Sequence, residues 1–500
     1  MQELRFISGS LRLTPRNTRR EIGITVIIAF LLLMPPLCRG WQKPMSLQLT
    51  TPVLSVNPTL GPPTTTVSVV GTGFDPNSRV EIYFDATVVA SAMTDSTGHL
   101  VGGSVGGQVS IKVPASAVPG RHWISAIERL GQKMGQAPFL VRTDWAQFRF
   151  APDHAGANSY ENVLTQETVG GLQQRWTYTT AAGIQSSPAV VGGTAYFGSD
   201  NGTIYAVQIS TGRLLWQHET GSAVDSSPAV ANGIVYVGTW APDDSMYALD
   251  AATGVVLWKY VTHGEVFSSP VAANGVVYFG SNDMTLHALN ATTGAVVWEH
   301  PTSGYILSSP AVANGLVYFT SYCPDCNLYA LDAATGNTVW TQRINPEIYS
   351  SPAVANGVVY VGGTPDYCLS AFDSASGTPL WKYQTEFWVY SSPAVSGGVV
   401  YFGSGGDPGS VYALDARTGS LLWGYATGGH VWSSPAVANG VLYVGSSDGN
   451  FYALNASTGS LLWMYPTGEV RSSPAVSDGA IYIGSGTDVG ILYSFGLVHE

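Results

Sequence analysis

Apolar and polar residues alternate along most of this chain. Segments such as SRVEIYFD and QVSIKVP change polarity at nearly every position, and GIVYVG is a short apolar run; each ends near Gly, Pro, Asn or Asp. Short segments of this kind, bounded by turn-forming residues, are typical of β-strands. The repeated part of the chain has no apolar positions at helical spacing, so the pattern predicts an all-β protein.

The strand pattern is itself repeated toward the C-terminus. Ser-Ser-Pro occurs eight times, at intervals of 40, 42, 40, 42, 41, 42 and 39 residues. Each unit predicts four strands, and the first two are joined by Asn-Gly, Gly-Gly or Asp-Gly, which suit a tight hairpin turn. A four-stranded unit of about 40 residues is the size of a propeller blade. The repeat therefore predicts eight blades.

The ring of blades is predicted to close on itself. Each outer strand carries a tryptophan, but the last unit ends without an outer strand, whereas RWTYTT (Arg175 to Thr180) precedes the first SSP. We predict that this segment supplies the missing outer strand of the last blade. Such closure joins the two ends of the ring and removes open sheet edges.

The turn before each outer strand carries a motif, AxDxxTGxxxW, as in Ala248 to Trp258. It recurs in seven units, with Asn or Gln sometimes replacing Asp, and resembles the tryptophan-docking motif of pyrroloquinoline-quinone (PQQ) type eight-bladed propellers. The resemblance implies a propeller over residues 172–500. Large apolar indoles would pack between adjacent blades, so we expect these tryptophans to be structural.

The chain before the propeller divides into four further segments. Residues 1–40 contain arginines followed by the uncharged run IGITVIIAFLLLMPPLC, which predicts a signal peptide or a signal-anchor. Residues 41–52 are a polar linker, and residues 53–142 predict a small β-sandwich that resembles immunoglobulin-like domains of the IPT/TIG type, on the segment GPPTTTVSVVGTGFDPNSRVEIYFD. Residues 143–171 are a connector for which capping of a neighbouring domain is expected. The predicted location is extracytoplasmic, secreted or anchored at the cell envelope.

Composition and charge limit the classes of partner. Only 11% of residues are charged, the net charge is −12, and basic residues are scattered over the predicted propeller. Nucleic-acid binding needs clustered basic residues, so we expect no nucleic-acid partner. The membrane is a predicted partner only through an uncleaved N-terminal segment.

The connections that lead into the SSP segments differ from blade to blade. In a four-stranded antiparallel unit they lie on the rim opposite the Asn-Gly turns. By alternation, the residue before each SSP and the residue two positions earlier should point to the channel mouth. The candidate ligand-binding residues are Gln185, Asp225, Glu265, Phe267, Tyr305, Glu347, Tyr349, Trp388, Tyr390, His430, Trp432, Glu469 and Arg471.

These candidates predict a mouth with two chemical halves. Phe267 to Trp432 form an apolar arc over five blades, and Arg471, Gln185 and Asp225 form a polar arc on the other three. Variable connections on a rigid scaffold often carry binding residues. Variation of this kind also arises where nothing constrains a loop, and one sequence does not separate the two explanations.

Three cysteines lie in neighbouring units of the predicted propeller. Cys323 and Cys326 form a C-x-x-C pair, and Cys368 lies in the matching connection of the next blade. In an oxidising compartment we expect a disulfide between Cys323 and Cys326, or from one of them to Cys368, rather than a metal site.

Two functions from different classes follow from the resemblance. PQQ-type propellers include PQQ-dependent dehydrogenases that oxidise an alcohol or sugar with a tricarboxylate cofactor and calcium, often beside a disulfide of adjacent cysteines. The chain also resembles the propeller lipoprotein of the outer-membrane β-barrel assembly machinery, which shares the fold without the cofactor and presents a face to protein partners. The mouth has more carboxylates than cations and the chain has no Cys-Cys pair. We therefore expect a non-catalytic binding or assembly scaffold for a protein, peptide or glycan, with no catalytic residue, metal or cofactor; the dehydrogenase with PQQ and calcium is the alternative.

Overall fold

The computed structural model describes residues 51–102, 108–130, 133–344, 349–363 and 367–498. These residues form strands and turns, with one short 3-10 helix at Val169–Gly171. The prediction of an all-β protein is confirmed. The predicted leader lies outside the described residues. Within the described ranges, no helix has the length and apolar character that would let it cross a membrane.

The strands of the N-terminal region form two sheets. One sheet has the order β1-β3-β7 and the other the order β2-β9-β8-β4-β5-β6. Both contribute to one core, in which Val67, Ile82 and Phe139 are fully buried. A sandwich is therefore present, and its immunoglobulin-like class stays a prediction. The strands are β1 (Val53–Asn57), β2 (Leu60–Gly61), β3 (Thr66–Thr72), β4 (Arg79–Phe84), β5 (Thr87–Thr94), β6 (Leu100–Val101), β7 (Val109–Lys112), β8 (Gly120–Glu128) and β9 (Met134–Val141).

Eight sheets follow, which we number as blades 1 to 8 in chain order; seven have four strands, and that of blade 7 has a fifth because β10 pairs parallel with β36. Two strands precede the first blade: β10 (Ala157–Asn158) and β11 (Leu172–Thr180). Blades 1 to 4 comprise β12 (Ala189–Val191), β13 (Thr194–Ser199), β14 (Thr203–Gln208), β15 (Leu214–Glu219); β16 (Ala229–Ala231), β17 (Ile234–Gly238), β18 (Ser245–Asp250), β19 (Val256–Val261); β20 (Val271–Ala273), β21 (Val276–Gly280), β22 (Thr285–Asn290), β23 (Val296–Pro301); β24 (Ala311–Ala313), β25 (Leu316–Thr320), β26 (Asn327–Asp332) and β27 (Thr338–Arg343).

The remaining blades repeat this plan. Blades 5 to 8 comprise β28 (Ala353–Ala355), β29 (Val358–Gly363), β30 (Cys368–Asp373), β31 (Pro379–Gln384); β32 (Ala394–Ser396), β33 (Val399–Ser404), β34 (Ser410–Asp415), β35 (Leu421–Ala426); β36 (Ala436–Ala438), β37 (Val441–Gly445), β38 (Asn450–Asn455), β39 (Leu461–Pro466); β40 (Ala475–Ser477), β41 (Ala480–Ser485) and β42 (Gly490–Leu497). In each blade the strands pair antiparallel with their neighbours in the chain, which is the predicted meander.

Blade 8 takes its outer strand from the start of the propeller, as the sequence predicts. Strand β11 pairs antiparallel with β42, with Trp176 opposite Ser494 and Thr180 opposite Gly490. The N-terminal segment therefore covers the edge that β42 would otherwise expose. This arrangement ties the two ends of the ring together by backbone hydrogen bonds.

A closed circle of hydrogen bonds joins the inner strands. In each blade the backbone N–H of the second serine of SSP donates to the Oγ of its counterpart in the next blade, and that of Ser473 donates back to Ser187, at 2.9–3.0 Å. The serines, in order around the ring, are Ser187, Ser227, Ser269, Ser309, Ser351, Ser392, Ser434 and Ser473. Each blade thus supplies one donor and one acceptor to its neighbours.

The outer strands dock through their tryptophans. Trp216 of blade 1 donates its indole N–H to the carbonyl of Ala251 in blade 2, at 2.9 Å. Gly254, in the same turn, has a φ of +73°, and a Cβ there would lie 2.6 Å from the Trp216 ring. The motif therefore needs glycine for its backbone conformation and for the close approach of the indole. Six further docking tryptophans make the same kind of bond to the next blade: Trp176, Trp258, Trp298, Trp340, Trp381 and Trp423.

The connector crosses the ring on the Asn-Gly side. Its residues meet the last part of one inner strand after another, from Trp145, which bonds Val190 of blade 1, to Asn158, whose Nδ2 donates to the carbonyl of Val476 in blade 8 at 2.8 Å. Between these ends, blades 2 to 7 each donate a backbone N–H to the connector, from Val230, Ala272, Val312, Val354, Val395 and Val437. The connector therefore lies across one end of the channel, and we call its residues from Trp145 to Asn158 the plug.

Candidate functional site

The other end of the channel is an open cavity of about 410 Å³. Phe148, from the connector, forms part of its lining and closes it from the Asn-Gly side. The ring of second serines surrounds its depth, and the residue that precedes each SSP surrounds its mouth. These mouth residues are Gln185, Asp225, Phe267, Leu307, Tyr349, Tyr390, Trp432 and Arg471.

The serine ring presents hydroxyl groups to this cavity. Each Oγ already accepts a backbone N–H from the preceding blade, as described above. Within the described part of the chain, none of these eight Oγ atoms donates a hydrogen bond to the protein. Their protons are therefore available to acceptor atoms of a ligand.

A row of stacked side chains forms one wall of the mouth. The rings of Trp388 and His430 stack at 5.7 Å, and those of His430 and Trp432 at 5.3 Å. The guanidinium of Arg471 lies over the Trp432 ring, at 4.3 Å from its centroid. The backbone N–H of Gly406 donates to Nδ1 of His430 at 2.8 Å, so the remaining ring proton of a neutral His430 is on Nε2. The wall is therefore a preformed, rigid aromatic surface.

The aromatic surface continues along the neighbouring blades. Tyr390 lies 5.8 Å from Trp388, and Tyr349 packs edge-on against Tyr390 at 4.9 Å. On the far side, Phe267 packs against Trp240 at 4.2 Å. Ring contacts therefore run without a break from Tyr349 to Trp432, and the Phe267–Trp240 pair is separate from them.

The polar arc has an unusual acid. Burial, together with the adjacent carboxyl of Asp200, raises the pKa of Asp225 to about 8. Gln185 donates to one oxygen of that Asp200 carboxyl at 3.2 Å. Asp225 therefore favours its protonated form at neutral pH. Arg471, which also bonds Glu469 at 2.8 Å, lies on the same side and favours the charged form of Asp225.

Of the candidates two positions before the mouth residues, Trp388, His430 and Glu469 contact residues of the cavity lining. Glu469 bonds Arg471, and Glu265 accepts a hydrogen bond from Asn282 at 3.0 Å. Tyr305 is 45% exposed on the rim. Glu347 lies outside the described residues. Seven of the thirteen candidates thus line the cavity: Gln185, Asp225, Phe267, Tyr349, Tyr390, Trp432 and Arg471.

The plug beneath the site contains two buried basic side chains. Arg149 donates to the carbonyls of Pro435 and Pro393, and burial lowers its pKa to about 9. His154 is fully buried, and burial, with the charge of Arg149, lowers its pKa to about 3, so this imidazole is neutral. Gly156 permits the approach of the guanidinium, since a Cβ there would overlap it. These groups hold the plug in place and do not reach the open cavity.

The sequence left two kinds of disulfide open, one between Cys323 and Cys326 and one from either of them to Cys368, and the structure has the first. Cys323 and Cys326 form a disulfide, with their Cα atoms 4.6 Å apart. Cys368 is buried outside that disulfide, and its Sγ lies 3.7 Å from the Oγ of Ser370. Within the described residues no group of three His, Cys, Asp or Glu side chains is placed to hold a metal ion.

Four parts of the site were not among the candidates. Phe148 lies in the connector, which carries no repeat to indicate its path. Asp200 is in a second-to-third-strand connection and meets Asp225 only through the fold. Leu307 precedes SSP as the candidates do. The second serine of SSP is present in every unit, and this repetition indicated a structural role. The sequence has no further feature to show that these serines also line the cavity.

Comparison with known proteins extends the resemblance. A family described as outer membrane protein assembly factor BamB matches residues 166–322, 308–430 and 407–495, which is well over half of the chain. No curated protein matches the sequence.

Solved structures share the propeller. BamB from Moraxella catarrhalis is 22% identical with a TM-score of 0.55, covering 66% of this chain and 99% of that one. The quinohemoprotein alcohol dehydrogenase from Comamonas testosteroni is 17% identical with a TM-score of 0.64, covering 72% and 81%. A europium-containing methanol dehydrogenase is 16% identical with a TM-score of 0.62, covering 71% and 98%. These likenesses confirm the PQQ-type propeller fold, and at such identities they show the fold alone.

Proposed function

This chain belongs to the family described as outer membrane protein assembly factor BamB, and we propose on that premise that it is a non-catalytic scaffold that holds a segment of a partner polypeptide at the channel mouth. The protein acts outside the cytoplasm, as its apolar N-terminal run suggests. The observation that carries the proposal is the one-ended cavity, closed by the connector and open on the rim where the blades differ.

The chemistry of the cavity suits an extended peptide. Eight hydroxyl protons face the interior and match the carbonyl oxygens of a backbone. The stack of Trp388, His430 and Trp432 offers flat surface to an apolar side chain. On the polar arc, Gln185 and the protonated carboxyl of Asp225 supply polar contacts. An extended strand with alternating apolar and polar residues presents one apolar face and one polar face, which match these two parts of the mouth.

The groups that line this cavity do not match PQQ. A tricarboxylate needs several cationic partners, but among the described lining residues Arg471 is the one cation, and it is already bonded to Glu469. Asp225 stands on the same side and would repel an anion once ionised. The donor set therefore does not fit PQQ with calcium, and no catalytic step is assigned.

Binding of labelled peptides to the purified protein tests the proposal. A fixed library of fluorescent extended peptides, half with alternating apolar and polar residues and half all-polar, would be titrated by fluorescence polarisation. We expect the alternating peptides to bind and Trp432→Ala to weaken binding by at least about tenfold, since an aromatic anchor contributes about 2 kcal/mol or more.

Trp123→Ala is the matched control, because Trp123 is a half-exposed tryptophan of the N-terminal sandwich, 40% exposed, and is absent from the lining of the channel. It should bind as the parent does. Equal affinity of both peptide classes, or binding unaffected by Trp432→Ala, contradicts the proposal. A parallel titration with neutral oligosaccharides distinguishes a glycan scaffold, and reduction of a dye by protein loaded with PQQ and calcium would establish the dehydrogenase instead.

A further inference from the structure

Two basic side chains of the plug are enclosed by protein. Arg149 is 2% exposed and His154 is fully buried. They belong to one compact loop, because the backbone N–H groups of Ala151 and Gly156 both donate to the carbonyl of Arg149, at 3.0 Å. The ring of Phe148 packs edge-on against His154 at 5.5 Å and lines the open cavity, whereas neither basic side chain does. The loop therefore holds both groups inside the plug, away from the channel mouth.

Arg149 is a buried charge without a counter-charge in the described part of the chain. Its two terminal amino groups donate to the carbonyls of Pro435 and Pro393. Burial lowers its pKa to about 9, so the guanidinium stays charged at neutral pH. Among the described residues, no carboxylate forms an ion pair with it. A buried charge with no opposite charge beside it is strongly unfavourable.

The same loop has unused hydrogen-bonding atoms. The Nε of Arg149 and both ring nitrogens of His154 are buried and have no hydrogen-bond partner among the described residues. The carbonyl of Pro352 lies near the imidazole, but not at a geometry that makes a hydrogen bond. The imidazole is neutral, with a pKa of about 3, so one of its nitrogens still carries a proton. Two N–H donors and one positive charge therefore remain unmatched.

The chemistry of these groups favours a small anion. A water molecule could accept the two N–H groups but would leave the charge of Arg149 uncompensated, and a cation would be repelled by it. An anion accepts both hydrogen bonds and supplies the opposite charge, and charge-assisted bonds of this kind are strong. The surroundings are tight, since a Cβ on Gly156 would already overlap the guanidinium. A monatomic anion fits this requirement better than an organic acid.

We propose that Arg149 and His154 hold one chloride ion inside the plug. The Nε–H of Arg149 and one imidazole N–H of His154 donate to the ion, while the terminal amino groups of Arg149 keep the carbonyls of Pro393 and Pro435. The chloride gives the buried guanidinium its counter-charge and so fixes the connector across the channel. The site is separate from the mouth, and its existence does not depend on the function proposed there.

Thermal unfolding in two salts tests the site. The full protein is refolded and melted in sodium chloride and in sodium gluconate, each at about 150 mM ionic strength, so that general screening is equal. Gluconate is too large for the plug, so chloride alone should stabilise the folded state by binding to it. We expect the difference in Tm between chloride and gluconate to be at least about 2 °C larger for the parent than for Arg149→Met.

Arg121→Met is the matched control, because Arg121 is exposed on strand β8 of the N-terminal sandwich. This variant should show the same difference between the two salts as the parent. If Arg149→Met does not fold, crystals of the parent grown in sodium bromide replace it, and the anomalous signal of bromide should appear beside the Nε of Arg149. The proposal is overturned if the folded Arg149→Met variant keeps the parental difference, if Arg121→Met loses it, or if bromide is found only outside the plug.

Discussion

The backbone N–H of Ser473 donates to the Oγ of Ser187, 286 positions earlier, at 2.9 Å. This bond joins the last inner strand to the first and completes the circle of serines. The same two side chains line the cavity at the channel mouth. One repeated residue therefore both holds the ring closed and provides polar groups at the site, which links the stability of the fold to the chemistry of the mouth.

Removal of one ring serine should destabilise the protein without unfolding it. Ser309→Ala leaves the buried backbone N–H of Ser269 without its acceptor. An unsatisfied buried donor costs about 1–3 kcal/mol, so the free energy of unfolding should fall by that amount. Denaturant titration measures it, with Ser91→Ala on the exposed sandwich strand as the control. A loss no greater than the control's would show that the serine circle is not stabilising.

Acid should weaken the plug through His154. Burial lowers its folded-state pKa to about 3, below the ordinary value of 6.5. Between those two values the unfolded chain binds the proton and the folded protein does not, so stability is full above pH 6.5 and declines as the pH falls toward 3. His154→Phe should lose less stability than the parent between pH 7 and pH 4, by about 2–3 kcal/mol. Parallel pH profiles for the two proteins would contradict this assignment.

Asp225 should act in the opposite direction. Its folded-state pKa of about 8 is above the ordinary 3.8, so the folded protein keeps a proton that the unfolded chain releases. Its contribution to stability is therefore greatest at low pH and is lost as the pH rises from about 4 to 8. Asp225→Asn should gain stability relative to the parent at pH 9 compared with pH 5, by at least about 1 kcal/mol. Thermal unfolding at the two pH values measures this, and an unchanged difference would contradict the raised pKa of Asp225.

Restoring the missing ring pair should strengthen the blade 4–5 junction. At seven junctions between neighbouring blades, a ring of one blade's outer strand packs against a ring of the next blade's third strand. The blade 4–5 junction has Gln342 and Ser370 at these two positions. The double variant Gln342→Tyr/Ser370→Tyr places rings at both. An aromatic pair contributes about 0.5–1.5 kcal/mol beyond the area it buries, so unfolding should require about 1–3 kcal/mol more in total. Denaturant midpoints of the parent, both single variants and the double variant measure the gain. Equal destabilisation by all three variants would show that the fold does not accept rings at this junction.

The repeat made the propeller predictable in detail. SSP spacing, the tryptophan before the first unit and the missing strand after the last one together predicted the pairing of β11 with β42. The Asn-Gly turns also predicted which rim the candidates share. Each of these signals appears many times in the chain, so a chance match at one position has little effect.

Features that occur once were harder to predict. The path of the connector depends on hydrogen bonds to eight separate blades, six of them between backbones, and nothing in residues 143–171 indicates their order. The raised pKa of Asp225 depends partly on Asp200, whose loop meets that of Asp225 only in the folded ring. Gln342 and Ser370 stand where the other blade junctions have a pair of aromatic rings, and this difference becomes visible only when the blades are aligned by strand register. These properties are tertiary, and local patterns do not contain them.

The central claim is that the repeated residues hold the ring and the variable mouth residues bind the partner. Trp298 is 8% exposed, donates to the carbonyl of Ala333 at 3.0 Å and represents the first class; Trp432, which lines the mouth, represents the second. Trp298→Ala should lose about 3–5 kcal/mol of stability, the usual loss for an emptied aromatic core site. Trp432→Ala should lose under about 1 kcal/mol.

The most direct test measures unfolding free energy and peptide affinity together for these two variants. We predict that Trp432→Ala keeps nearly parental stability and loses binding of the alternating peptides by at least about tenfold, whereas Trp298→Ala is destabilised but binds normally wherever it is folded. Equal loss of stability in both variants, with Trp432→Ala still binding peptide at parental affinity, would contradict the account.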